Sequence, residues 1–186
     1  MAVVVFYAAM LLCMPLRVEC GSAQGGLHKS RFASIHYQEP GQLDLLARMI
    51  KPTALTASLE RIFMGNQETT QEEMAGKYVD RLFLRVQALL EMPRYDMKVQ
   101  IRLFRDQSEL SAAFAGITSR HTHVPAFFWK ETNSIYLNIE KASPGILAHE
   151  MAHAVIADFF IVTPPEKISE LLCRYVDREI SKDLLE

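Results

Sequence analysis

Between Pro144 and Ala157 the only ionisable side chains are His149, Glu150 and His153, in a run that is otherwise apolar or glycine. A helix apolar on every side is a buried helix, and an imidazole or carboxylate buried in it must be satisfied by a partner. Two histidines four residues apart leave a helix on one face, about one turn above each other, so both reach a single metal ion. Glu150, next to the first histidine, points to the side where a metal-bound water would lie. The spacing is that of HExxH, in which the histidines His149 and His153 hold zinc and Glu150 is the general base on zinc-bound water. Another reading of the same residues is a pair of core histidines bonded to backbone carbonyls, with Glu150 as their ion-pair partner.

With its flanks, Ile146-Leu147-Ala148-His149-Glu150-Met151-Ala152-His153-Ala154-Val155-Ile156 resembles the active-site helix of zinc metallopeptidases of the zincin group. A metzincin would have Gly where Ile156 stands and a third histidine where Phe159 stands, so that branch is excluded. What remains resembles the gluzincins, whose third metal ligand is a glutamate on a following helix. The resemblance assigns that role to Glu170 in Ser169-Glu170-Leu171-Leu172, with the turn at Thr163 to Pro165 folding its helix back beside the first. Its competitors are Glu166, which reads as the capping partner of Thr163, Asp158, near the end of the histidine helix, and Asp177, two turns further on. A glutamate on a solvated helix face is the plain alternative for Glu170 itself.

The resemblance extends from about Pro125 onward and is closest to small bacterial gluzincin-like domains. It implies an α+β, zincin-like fold: a small mixed β-sheet with an active-site helix and a following glutamate helix, preceded by N-terminal helices. It also implies that Phe127 to Trp129 form a sheet-edge strand on which an extended substrate can pair, with Ile135 to Ile139 inside it. Packing in a hairpin core is the other role open to the three aromatics. Larger relatives stabilise the oxyanion with a distant histidine or tyrosine. Here Tyr175 reads as core and His121 and His123 as an exposed loop, which leaves zinc and edge-strand amides for that task.

The elements that position these residues are legible in outline. Gln24 to Pro40 reads as a leader with little periodicity, followed by short helices over Leu43 to Ile50 and Ala54 to Met64. Thr70 and Glu73 form a capping box, after which Met74, Tyr78, Leu82, Val86 and Leu89 recur at helical spacing up to Pro93. From Met97 to Phe104 the period becomes two, the pattern of a half-buried strand. Asp106 and Glu109 offer a second capping box for a short helix towards Gly116. Ser143 before Pro144 caps the histidine helix, which runs to about Phe159. Thr163, Pro164 and Glu166 open a last helix whose Ile168, Leu171, Leu172, Tyr175, Val176 and Ile180 read as its buried stripe.

Composition narrows the function classes. The chain has 186 residues, with 20 Lys and Arg against 22 Asp and Glu, which gives no basic excess to hold a nucleic-acid backbone. Ala2 to Met14 is apolar and is followed by small residues at Gly21, Ser22 and Ala23, the pattern of an export signal over residues 1–23. That run falls short of the roughly 20 residues of a spanning helix, so no stable membrane span is expected after cleavage. Residues 24–186 are then one domain, exported to a bacterial periplasm or beyond, with Cys173 its sole cysteine and a buried small hydrophobe. The expected function is hydrolysis of peptide bonds in a peptide or protein substrate, with one Zn2+ per chain. The alternative is a catalytically silent zincin-fold domain of the cell envelope that binds metal or peptide.

Overall fold

Alternating apolar residues build the centre of the sheet. In β3 (Val99–Phe104), Val99, Ile101 and Leu103 are buried while the residues between them are half-buried. A computed structural model of the chain describes residues 25–49 and 70–183. The fold is α+β, and the five strands among the described residues lie in the order β1-β2-β3-β5-β4. The remaining strands are β1 (Gly26–Lys29), β2 (Ala33–Tyr37), β4 (Ala126–Trp129) and β5 (Ser134–Asn138). β3 runs parallel to both β2 and β5, and β1 and β4 close the two edges antiparallel. The expected inner strand and edge strand are therefore β5 and β4.

Among the described residues there are five helices: α1 (Pro40–Met49), α2 (Gln71–Leu90), α3 (Gln107–Thr118), α4 (Pro144–Phe159) and α5 (Glu166–Asp183). α1, α2 and α4 pack on the face of the sheet that carries Ile35, Ile101, Ile135 and Leu137, α5 packs on α4 and α2, and all share one apolar core. α3 lies on the other face. There Phe114 meets the Phe127 ring edge-on at 5.0 Å, and Phe127 stacks on Tyr136 at 4.6 Å. None of the helices among the described residues is long and apolar enough to cross a membrane.

The caps behave as their chemistry requires. Thr70 and Glu73 form both halves of a capping box on α2, and the Ser143 hydroxyl accepts from the Ile146 amide with Pro144 in the first turn of α4. Asp106 caps α3, but the Glu109 carboxylate accepts from the Arg105 amide rather than that of Asp106, because it also pairs with the Arg105 guanidinium.

Three expectations are corrected. The segment read as a leader holds β1 and β2, so two strands, rather than helices alone, precede the rest of the fold. Their hairpin is made by a distant residue: the Asp80 carboxylate on α2 accepts from the Ser30 hydroxyl and from the Arg31 and Phe32 amides at 2.8–2.9 Å. The buried stripe of α5 is Ser169, Cys173, Val176 and Ile180, whereas Ile168, Leu171 and Tyr175 are exposed. The core-facing stripe of α2 is also rotated: Ala75, Val79, Leu82, Phe83 and Val86 are buried, and Met74, Tyr78 and Leu89 sit at its rim. The expected helix at Ala54 to Met64 and the expected signal at 1–23 lie outside the described residues.

Candidate metal centre

α4 is wedged between α2, α5 and the sheet, which accounts for its all-round apolar composition. It approaches α5 closely at Gly145. A Cβ there would stand 2.2 Å from the Asp177 carboxylate and 2.4 Å from the Ser181 hydroxyl, so the absence of a side chain lets the two helices meet. That contact sets α5 beside the histidine face of α4. The His149 and His153 rings stand edge to face with centroids 5.0 Å apart.

Glu170 then faces both imidazoles. One carboxylate oxygen lies 3.2 Å from His153 Nε2 and the other 3.8 Å from His149 Nε2. Two donors bonded to one tetrahedral zinc at ~2.1 Å stand ~3.4 Å apart, so the Glu170–His153 separation suits two ligands of one ion and the Glu170–His149 separation is somewhat wider. Among the described residues, the potential ligand atoms that all lie within 4.8 Å of one another belong to His149, His153 and Cys173. Two neutral imidazoles and one carboxylate also make a donor set suited to zinc. Burial holds both histidines below the ordinary imidazole value. The Glu170 charge opposes that effect at each of them, and His149 further depresses His153. The balance at each imidazole favours the neutral form, the one that binds metal.

Glu150 is buried, and burial pushes its carboxyl up to about 7. The backbone amide of Phe128 on β4 donates towards it and pulls the other way, while Glu170 adds to the rise. Glu150 thus sits beside the edge strand, on the helix that carries the histidine pair. A cleft of about 580 Å³ runs over these groups, with β4 on one side and α4, the α4–α5 connection and the start of α5 on the other.

The competing acids do not face both imidazoles as Glu170 does, although the Asp177 charge acts on His149. Asp158 pairs with Arg94 at 2.5 Å, and Asp177 accepts from Ser181 beside Gly145. Glu166 lines the cleft, but it is not the capping partner expected of it. The Pro165 carbonyl takes the first amides of α5, and the Thr163 hydroxyl is engaged by Lys130. Tyr175 is exposed beneath the Arg178 guanidinium rather than in the core, and it does not line the cleft. His121 lies in an exposed loop beside Ser111, as expected, and His123 is exposed in the same loop.

Two features of the site are absent from the reading of the sequence. Cys173, one turn beyond Glu170, is fully buried as expected, yet its sulfur lies within 4.8 Å of ligand nitrogens on His149 and His153. Burial, with Glu170 and Glu150 nearby, raises its thiol far above the usual range. Ser169, beside Glu170, buries a hydroxyl that has no hydrogen-bond partner among the described residues. The three-residue and four-residue spacings from Glu170 and Ser169 to Cys173 place all three on adjoining faces of α5, a signal that only helix phase could have supplied. No protein-family model, curated protein sequence or solved structure matches the chain.

Proposed function

We propose that the chain is a zinc-dependent metallopeptidase of the gluzincin type, exported and acting on extended peptide. The observation that carries this reading is the single carboxylate of Glu170 set against both histidines of an HExxH helix. Zinc held by His149, His153 and Glu170 would supply Lewis acidity to the scissile carbonyl and to the attacking water. Glu150 accepts a proton from that water as its oxygen adds to the carbonyl carbon, then gives the proton to the amine as the C–N bond breaks. Carboxylic acid and amine are the products.

β4 supplies the rail for the substrate. The Pro125 carbonyl accepts from the Asn138 amide, and the same register puts Phe127 and Trp129 in hydrogen-bonded pairs with β5. The backbone groups of Ala126 and Phe128 therefore face outward along the cleft. A peptide added there as a further strand brings its carbonyls past Glu150.

A second reading is a silent metal-binding domain, favoured by Cys173: with its sulfur as fourth protein ligand the site would be closed, as in structural zinc sites. One experiment separates the two. A broad peptide library is digested with wild type and Glu150→Gln, and cobalt-substituted protein is examined for a sulfur-to-cobalt charge-transfer band. The peptidase reading predicts cleavage by wild type, a loss of about 10²–10⁴-fold in Glu150→Gln with metal retained, and no such band. No cleavage together with a strong band would establish the closed site instead.

A further inference from the structure

The cleft has one feature that the hydrolytic chemistry does not use. Among its described lining residues Lys130 is the only lysine or arginine. It follows directly on β4, and its ammonium crosses to the α4–α5 connection, where it donates to the Thr163 hydroxyl at 2.6 Å. That partner is neutral, and no carboxylate among the described residues lies within ion-pair distance of Lys130. Glu166 also lines the cleft and is not paired with it. The exposed ammonium thus reaches across the cleft with donors left over for an anion.

The side chains of β4 leave this residue in charge of selection. Phe128 packs towards the core and Phe127 stacks beneath α3, and although both line the cleft their apolar rings read no charge. The Phe128 amide marks the level of Glu150, and Lys130 follows two residues later, ~7 Å on at ~3.3 Å per residue. Resting on the peptidase reading above, we propose that Lys130 is a specificity-determining residue. It recognises a carboxylate two or three residues from the scissile bond. A strand antiparallel to β4 presents there an acidic side chain on its N-terminal side, and a parallel one presents its free C-terminal carboxylate.

The test uses zinc-loaded full chain and quenched peptides of one core sequence. Glu, Gln or Lys is placed two or three residues on either side of the bond, and the C-terminus is free or amidated. Wild type should prefer Glu, or the free terminus, over its neutral counterpart by about fivefold in kcat/KM, the scale of a partly exposed ion pair. Lys130→Met should abolish the preference and Lys130→Glu should reverse it towards Lys, with zinc content and circular dichroism unchanged. Equal turnover of the three peptides by wild type, or a Glu preference that survives in Lys130→Glu, overturns the proposal. If wild type cuts none of the peptides, the peptidase reading fails by itself. Fluorescence anisotropy with zinc-loaded Glu150→Gln then decides the role of Lys130. A preference for acidic peptide that disappears in Glu150→Gln/Lys130→Glu upholds carboxylate recognition, and its absence refutes it.

Discussion

Each residue at the centre takes its role from what the others leave free. Asp158 is paired with Arg94 and Asp177 with Ser181, so Glu170 is the acid that faces both imidazoles. Glu150 makes the sharpest prediction at this scale. A general base acts only when ionised, so kcat/KM should climb with pH along an acid limb and level off above it. Burial is the largest of the causes that hold the Glu150 carboxyl up to about 7. A bound dication beside the carboxylate moves it lower, so a pH–rate profile should show its acid limb at or below about 7. A rate that falls as pH rises through this window would make Glu150 an acid instead of a base. The HExxH part of the site was legible in the sequence because helix geometry alone brings four-spaced histidines together. Glu170 was legible only through a family resemblance. Cys173 and Lys130 were not legible, since one depends on the phase of α5 against α4 and the other on a strand end meeting a loop 33 residues later.

Elements were read correctly where local chemistry dictates them. The caps at Thr70 and Ser143 and the alternation in β3 are properties of neighbouring residues, and the structure contains all three. Reading failed where tertiary contacts decide. β1 and β2 carry few apolar residues, and their turn is held by Asp80, 48 to 50 positions away. The exposed apolar residues of α5 misled the phase of its stripe, because Ile168, Leu171 and Tyr175 look like core while Ser169 and Cys173 occupy it. Asp80→Ala removes the acceptor for a hydroxyl and two amides at once and should lower stability by about 2 kcal/mol. The readout is denaturant unfolding, accompanied by faster amide exchange in β1 and β2. An unchanged midpoint, or exchange that rises evenly across the sheet, would show that the hairpin stands without Asp80.

At the scale of the molecule, the core joins one face of a five-stranded sheet to four helices, and the candidate centre sits where α4 and α5 meet beside the edge strand. A metal held from both helices binds the folded chain and not the unfolded one, so it should also clamp this corner of the fold. The measurement that tests the central claim most directly is zinc content by elemental mass spectrometry, with thermal unfolding before and after chelation, for wild type, His153→Ala, Glu170→Ala and Glu166→Ala. The account predicts one zinc per chain in wild type and Glu166→Ala, with Tm falling on chelation, and little or no zinc in His153→Ala and Glu170→Ala, with Tm indifferent to chelator. Wild type that takes up no zinc when supplied with it, or Glu170→Ala that keeps a full equivalent, would contradict it.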